Sequence, residues 1–468
     1  MLPLESSPAE LRSLGSAVLD AAVDFLESLG ARPAHDPRSF TQDVAITGEA
    51  QPLAEVLATA LRAAESGVET AGPRYLGYIP AGGLVSSAVA ALLTQVLNRY
   101  ATVADLAPGL VAIEQSVLDW LTTEFALPST AGGLLTTGGS AATLSAVVAA
   151  REHHLGDESR GATLYVSGHT HLCVAKAARV AGLPRDCVRV VPVDDRLRMD
   201  PDAAARMIAA DRRAGRQPFL LAGTAGTTDT GAVDPLTDLA ALARRENLWF
   251  HVDGAYGGAF QLTERGRERL AGVELADSIV LDPHKGLFLP YGLGTLLVRD
   301  TATLVAAHRH DAPYLQDLGD GTGLPDYADH GVELTREHRG LRLWLPLRLH
   351  GVQAFRDALD EKLDLAEHTY RELGAMPGID VPWHPSLSTV AFRCAAGDTA
   401  TRAVFDAIRR DGRVFLTSTT IGGRFHIRLC VLSHRTHAEH VDEALAAVRA
   451  ACSSTAAMTR SPRRLPTP

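Results

Sequence analysis

WFHVDGAYGGAF (residues 249–260) and ADSIVLDPHKGLFL (residues 276–289) are two stretches in which a short apolar run ends abruptly in polar residues. Asp253 follows the first run, and Asp282 and Lys285 follow the second. In open α/β sheets the carboxyl ends of parallel strands meet at one edge, and ligands bind there. We therefore expect these side chains to lie together at one edge of a sheet.

An aspartate and a lysine at one sheet edge suit the chemistry of pyridoxal phosphate. The amine of Lys285 can form a Schiff base with the cofactor aldehyde, and Asp253 can keep the pyridine nitrogen protonated. The ring then withdraws electrons from the Cα of an amino acid. A simpler interpretation is an Asp–Lys ion pair at the edge of a loop. The neighbouring motifs favour the cofactor.

HVDGAYGGAF and ADSIVLDPHKG resemble the signatures of the group II pyridoxal-phosphate decarboxylases, relatives of aromatic L-amino-acid and glutamate decarboxylases. Similar motifs extend over most of residues 70–435. The family usually reads HVDAAYGG and DPHKW, whereas this chain has Gly254 and Gly286 at two of those positions. Since Gly286 replaces a large aromatic residue beside the lysine, we expect a pocket of different shape.

The resemblance implies an α/β protein of the fold-type I class, with a mainly parallel seven-stranded sheet covered by helices on both faces. The alternation of strand-like and helical segments agrees with this class. Residues 1–84 are expected to form an N-terminal helical segment that packs on a partner subunit. Residues 85–345 would form the large cofactor-binding domain and residues 346–452 a small C-terminal α+β domain. The Ser-, Thr-, Pro- and Arg-rich tail, residues 453–468, is predicted to be disordered.

A glycine-rich turn in LLTTGGSAATLSAVVAAR (residues 134–151) precedes a helix that starts near Ser140. Backbone N–H groups at such a helix start bind anions, and glycines allow a ligand to come close. Ser140 could equally be an ordinary helix N-cap. The resemblance implies that Gly138, Gly139, Ser140 and His284 contact the cofactor phosphate.

His171 and Thr228 correspond to family residues that contact the cofactor ring. The resemblance implies that the imidazole of His171 stacks on the pyridine and that Thr228 touches the cofactor. Alternatives are a plain structural histidine, a metal site formed with His169 and Cys173, and a threonine-rich turn at Thr227 and Thr228. We predict no resident metal. The complete predicted cofactor set is Gly138, Gly139, Ser140, His171, Thr228, Asp253, Ala255, Asp282, His284 and Lys285.

The predicted substrate residues are Tyr78 and Pro80 in GPRYLGYIPAGGL (residues 72–84), together with Arg428. Tyr78 could instead be an aromatic staple of its loop, and Arg428 an exposed strand arginine. Tyr314 matches the family tyrosine of a long loop that protonates Cα after carbon dioxide leaves. The predicted catalytic residues are Lys285, Asp253, His171 and Tyr314.

Composition limits the possible partners. The 468 residues carry a formal net charge of −10, which argues against nucleic-acid binding. The start of the chain lacks the features of a signal peptide, and the longest apolar run, near residues 84–97, contains too many polar residues to span a bilayer. Five cysteines without a CxxC pair favour reduced thiols and a cytoplasmic location.

These features together predict a homodimeric, pyridoxal-phosphate-dependent decarboxylase that converts an aromatic or aliphatic L-amino acid to its amine, with the active site at the subunit interface. One alternative is decarboxylation coupled to oxidative deamination, which yields an aldehyde. Transamination and Cα–Cβ cleavage on the same fold are others. A cofactor-free interaction protein is a further alternative, although every position that carries the chemistry is occupied.

Overall fold

The computed structural model describes residues 4–36, 40–41, 44–46, 48–310 and 323–460. Its helices are α1 (Pro8–Ser28), α2 (Leu53–Ala64), α3 (Val85–Leu97), α4 (Pro108–Glu124), α5 (Gly139–Leu155), α6 (Cys173–Val180), α7 (Pro201–Arg213), α8 (Leu236–Arg245), α9 (Glu264–Arg269), α10 (Pro283–Gly286), α11 (Ala302–His308), α12 (Gly340–His350), α13 (Val352–Gly374), α14 (Asp398–Asp411) and α15 (Ala438–Arg460). Its strands are β1 (His35–Asp36), β2 (Gly67–Val68), β3 (Gly132–Thr136), β4 (Ala162–Ser167), β5 (Val188–Val191), β6 (Gln217–Thr224), β7 (Trp249–Asp253), β8 (Ser278–Leu281), β9 (Gly294–Val298), β10 (Ile379–Asp380), β11 (Thr389–Cys394), β12 (Thr417–Ile421) and β13 (Arg424–Cys430).

The central sheet has seven strands in the order β3-β9-β8-β7-β6-β4-β5. The strands from β8 to β5 pair in parallel, whereas β9 is antiparallel to both of its neighbours. The predicted mainly parallel sheet is therefore confirmed. The segment between β8 and β9 carries the Lys285 turn and stays at one edge of the sheet, so the chain returns antiparallel.

Helices cover both faces of this sheet, as the side chains of β8 illustrate. Ile279 and Leu281 pack into the core beneath α4, α7 and α8, and Val280 between them packs into the core beneath α5 and α6. Since successive residues of a strand point to opposite faces, a strand buried on both sides reads as a continuous apolar run. Each fully buried side chain of this size stabilises the fold by about 1.5–3 kcal/mol.

The small C-terminal domain is a four-stranded antiparallel sheet in the order β10-β11-β13-β12, packed against α13, α14 and α15. The last helix, α15, continues to Arg460, so the prediction of disorder from residue 453 is wrong for residues 453–460. The hydroxyls of Ser453 and Thr455 bond to the carbonyls of Arg449 and Ala451 four residues earlier, at 3.0 and 2.8 Å. These bonds let polar residues continue the helix.

The N-terminal helices are amphipathic, as predicted, but neither α1 nor α2 buries a side chain against the described part of the chain. Helix α3 likewise exposes an apolar face, with Val89, Leu92 and Val96 each more than half exposed. None of the helices in the described ranges is long and apolar enough to cross a bilayer.

The segment of residues 72–84 packs on the small domain rather than on the N-terminal helices. Leu76 donates its N–H to the carbonyl of Phe415 at 3.0 Å and accepts from the N–H of Cys430 at 2.9 Å. The segment therefore extends the small domain toward the large one.

A buried ion pair joins α4 to the chain preceding α12. The carboxylate of Glu114 is fully buried and lies 2.7 Å from the guanidinium of Arg336. His338 lies 3.6 Å from the same carboxylate, and burial lowers its pKa. Gly340 makes this packing possible, because a Cβ on it would lie 2.8 Å from that of Glu114.

Candidate active site

The carboxyl ends of β6, β7 and β8 open into a cavity of about 300 Å³. Every residue of the predicted cofactor set lines this cavity. The strand ends deliver Thr224 and Asp253 directly, and the turn after β8 delivers Asp282 and Lys285. The arrangement at one sheet edge is the one the apolar runs predict.

Lys285 and Asp282 form an ion pair inside the cavity. The Nζ atom of Lys285 lies 2.9 Å from Oδ2 of Asp282, whose side chain is 3% exposed. Burial by itself lowers the pKa of Lys285, but Asp282 and, less strongly, Asp253 raise it above its ordinary value. The other carboxylate oxygen of Asp282, Oδ1, is buried without a hydrogen-bond partner among the described residues. The site therefore contains a protonated amine and an unsatisfied acceptor side by side.

Asp253 is buried at the end of β7. Its Oδ1 accepts the N–H of Ala255 at 3.1 Å, and its Oδ2 lies 3.8 Å from Sγ of Cys173. Burial, followed by the charge of Asp253, raises the pKa of Cys173 to about 12, so this residue is a neutral thiol. One carboxylate oxygen of Asp253 thus faces only a weak donor and is suited to a stronger one.

The alternative metal trio of His169, His171 and Cys173 does not assemble in the structure. Nδ1 of His169 instead contacts the Asp229 carboxylate at 3.0 Å. His171, Cys173 and Asp253 do bring one potential ligand atom each within 4.8 Å of one another. These three residues line the same cavity as Lys285, so they belong to one site.

The turn before α5 forms a cradle for an anion. The N-cap of α5 is Gly138, and Ser140 is exposed within the first turn, so the alternative of a Ser140 N-cap is wrong. A Cβ on Gly139 would lie 2.9 Å from Oδ2 of Asp282 and 3.3 Å from Cβ of Ala255. Only glycine therefore allows this close packing. The free N–H groups and the positive end of a 17-residue helix point at the cavity.

The remaining cavity residues are held by specific hydrogen bonds. Nδ1 of His171 accepts the N–H of Cys173 at 3.3 Å, which orients its exposed ring. Nδ1 of His284 donates to the carbonyl of Leu293 at 2.6 Å, and burial lowers the pKa of His284. Thr227 is satisfied within its own turn, through Thr230 and Ala232, whereas its neighbour Thr228 lines the cavity.

These features fit pyridoxal phosphate. The cradle at α5 suits its phosphate, the buried Asp253 suits a protonated pyridine nitrogen, and Lys285 offers the amine for its aldehyde. The unpartnered oxygen of Asp282 also indicates that a polar group belongs in the cavity.

The predicted substrate residues lie outside the lining of this cavity. Arg428 is only 3% exposed and donates to Oγ1 of Thr417 at 2.9 Å and to three backbone carbonyls, those of Tyr78, Thr228 and Asp229. It is therefore not the exposed strand arginine of the alternative, and it lies behind the cavity wall. Tyr78 is exposed and Pro80 is buried. Tyr314 lies outside the described residues.

Gly286 and Gly254, the two glycines that depart from the family motifs, are both closely packed. A Cβ on Gly286 would lie 2.3 Å from Cβ of Ala259, so Ala259 already occupies the space that a side chain would enter. Gly254 is similarly confined, because its Cβ would lie 2.9 Å from the carbonyl oxygen of Val280. At both glycines the neighbouring atoms leave no room for a side chain.

Sequence reasoning missed several residues that line the cavity. Tyr256 is one: it is fully buried, and its hydroxyl bonds to Ser388 at 2.8 Å and Thr389 at 3.2 Å across the domain boundary. Its place within HVDGAYGG is a signal that could have identified it. The other missed residues are Thr137, Ala141, Cys173, Thr224 and Gly226.

The chain is similar to known pyridoxal-dependent decarboxylases. The model of the pyridoxal-dependent decarboxylase conserved domain matches residues 35–395. The aromatic-L-amino-acid decarboxylase of Bacillus atrophaeus is 31% identical over 464 residues, covering 96% of each chain. The L-2,4-diaminobutyrate decarboxylase of Rhizobium meliloti (strain 1021) is 32% identical over 413 residues, covering 86% of this chain and 82% of its own. The structure of Oryza sativa TDC with PLP and tryptamine has a TM-score of 0.91 at 26% identity, covering 97% of this chain and 99% of its own.

We predict that Gly286→Ala destabilises the protein, because its new methyl group collides with that of Ala259. Overpacking of this kind costs about 1–3 kcal/mol. Removing the opposing methyl group in the double variant Gly286→Ala/Ala259→Gly should recover part of the loss. Chemical unfolding of both single variants and the double variant measures the coupling. Additive losses would contradict the contact.

Proposed function

The chain belongs to the family of pyridoxal-dependent decarboxylases, and we propose that it decarboxylates an aromatic L-amino acid to the corresponding amine. The family match establishes amino-acid decarboxylation with pyridoxal phosphate. The aromatic character of the substrate is the finer part of this proposal. A group of aromatic side chains beside the Lys285 turn supports the proposal of an aromatic substrate.

The exposed rings of Tyr78 and Tyr291 form this aromatic surface, and the buried Tyr75 contacts Tyr291. The ring of Tyr291 lies 5.7 Å from that of His284, and its hydroxyl lies against Tyr75 and the backbone of Ala81. Burial raises the pKa of Tyr75 and of Tyr291, so both remain neutral phenols. Flat neutral rings favour an aromatic substrate side chain.

A substrate with a second ammonium group, such as L-2,4-diaminobutyrate, would call for a carboxylate near its side chain. The described segment Tyr75–Leu84 (YLGYIPAGGL) has no acidic residue. The relative that acts on diaminobutyrate by name is as similar in sequence as the aromatic one. The aromatic surface, rather than the degree of identity, therefore supports the aromatic substrate.

The residues of the cavity take distinct roles in this proposal. When bound, pyridoxal phosphate supplies an acceptor for the electron pair left on Cα as carbon dioxide departs. Asp253 would hold the proton of the pyridine nitrogen, and His171 would lie against the ring. The N–H groups at Gly139 and Ser140 would bind the phosphate.

Lys285 must lose a proton before its amine can attack an aldehyde. The raised pKa keeps the amine protonated at neutral pH. Asp282, at 2.9 Å, holds the ammonium group of Lys285 in place. Its second oxygen, Oδ1, has no partner among the described residues and can accept a hydrogen bond from a bound ligand.

The substrate proposal is tested with a panel of L-amino acids. We expect kcat/KM for tryptophan, tyrosine or phenylalanine to exceed that for 2,4-diaminobutyrate and glutamate by about tenfold or more, equivalent to about 1.4 kcal/mol. Carbon dioxide and amine are both measured. Lys285→Ala is the negative control and should show no borohydride-reducible bond to the cofactor. A preference for diaminobutyrate would contradict the aromatic assignment.

We propose that Tyr314 protonates Cα after carbon dioxide leaves, on the strength of its sequence motif alone. A general acid must come within hydrogen-bond reach of the atom it protonates. With Tyr314→Phe, Cα stays unprotonated for longer and is open to oxygen. We expect that variant to lose amine formation and to release aldehyde, ammonia and peroxide in air. Amine formation at the parent rate would assign the acid to another residue.

We also propose a homodimer in which the exposed faces of α1, α2 and α3 are covered by a second copy. Apolar faces of this extent on a helix favour burial against a partner. The protein should sediment at twice its chain mass of 49.7 kDa. Leu92→Arg, on an exposed face of α3, should shift it toward an inactive monomer, whereas Val190→Arg on the edge strand β5 should not. A fully active monomer of the Leu92 variant would refute the proposal.

A further inference from the structure

The loop formed by residues 78–84 lies directly on the turn that carries Lys285. The N–H of Leu84 donates to the carbonyl of Phe288 at 2.8 Å. A Cβ on Gly82 would lie 2.7 Å from Cβ of Phe288, so the backbone of the loop and the turn are in contact. Phe288 is three residues beyond Lys285, so the loop packs on the turn that carries the lysine.

Two residues of this contact have a left-handed backbone. Tyr78 has φ 47° and Phe288 has φ 64°. Such conformations are unfavourable for non-glycine residues and persist only where the surroundings impose them. The hydrogen bonds of the small domain impose one of them: Tyr78 donates its N–H to Thr417 at 3.2 Å and accepts from Arg428 at 3.2 Å.

The other end of the loop is held by Arg435, a partly buried residue of the turn before α15. Its guanidinium donates to the carbonyls of Gly82, Gly83 and Ala71, the last two at 3.3 and 3.4 Å. Burial lowers the pKa of Arg435, but an arginine remains charged in proteins, so these carbonyls replace the water that it loses.

The turn that carries Arg435 is itself fixed. Thr436 donates its hydroxyl to the carbonyl of Pro73 at 2.7 Å, and the buried Lys362 donates to the carbonyl of Thr436 at 2.5 Å. The ring of His434 packs against that of Phe288, with centroids 5.7 Å apart. Arg435 therefore reaches the loop from a rigid base.

We propose that Arg435 is a positioning residue for the amino-acid substrate, because it fixes one end of the 78–84 loop over the Lys285 turn while Arg428 holds the other end. The proposal rests on the decarboxylase function and on this loop bordering the substrate. The guanidinium of Arg435 has several N–H groups and bonds to three backbone carbonyls at once, whereas a lysine offers a single ammonium group. Gly83, at φ 64°, directs its carbonyl toward that guanidinium.

Removing the guanidinium of Arg435 should release the loop and leave the cofactor cavity intact, because Arg435 does not line that cavity. We expect Arg435→Ala to raise KM for the amino acid by about tenfold, with kcat changed by less than about threefold, the pattern of lost substrate binding. Arg435→Lys should give an intermediate KM. Guanidinium ion at low millimolar concentration should partly restore the KM of Arg435→Ala.

The experiment compares the full-length parent with Arg435→Ala, Arg435→Lys and a control, Arg449→Ala. Arg449 lies on α15, is 58% exposed and pairs with Glu372 at 3.7 Å, so its loss should leave KM unchanged. Cofactor content is read from the absorbance of the bound cofactor, separately from turnover. The steady-state assay uses whichever amino acid the parent decarboxylates.

The outcomes separate this inference from the proposed function. A parent that decarboxylates no aromatic amino acid disproves the proposed substrate but leaves Arg435 testable with another amino acid. An active parent whose Arg435 variants keep its KM overturns the inference. So does a loss of cofactor in step with KM, which would mean a general structural role. If Arg435→Ala does not fold, an unchanged KM in Arg435→Lys decides against the proposal.

Discussion

The ion pair between Lys285 and Asp282 is the interaction on which the active site depends. The lysine amine lies inside a cavity beside the buried Asp282, and the two opposite charges compensate each other there. The two groups lie 2.9 Å apart, and the turn after β8 brings them together within four residues. Gly139 then packs on the same carboxylate, so the phosphate cradle is built around the pair.

The small domain completes this site rather than merely adjoining it. Asp229 accepts a hydrogen bond from Thr419 at 2.7 Å and contacts His169, two residues before His171, at 3.0 Å. Tyr256 crosses the same boundary to Ser388. With the loop at residues 78–84 also held by the small domain, movement between the domains would change several walls of the site at once.

The strand ends and the glycine turn of the site could be predicted from the sequence, because each depends on local pattern. Asp253 and Lys285 follow apolar runs, and Gly138 and Gly139 precede a helix. The packing of Gly286 could not be predicted, since it depends on Ala259, which no local periodicity connects to it. The hydrogen-bond acceptors of Arg428 likewise depend on how β13 pairs with β12 and on where the 72–84 segment lies.

The charges of the site are arranged before any cofactor enters. Among the described lining residues, two aspartates face one lysine, and the thiol of Cys173 stays neutral because burial raises its pKa. This leaves an excess of negative charge at Asp253, where a protonated ring nitrogen is expected. At the phosphate cradle, the N-terminus of α5 carries the positive end of the helix dipole, which favours an anion. A ligand positive at its ring and negative at its phosphate therefore meets a complementary charge at each end.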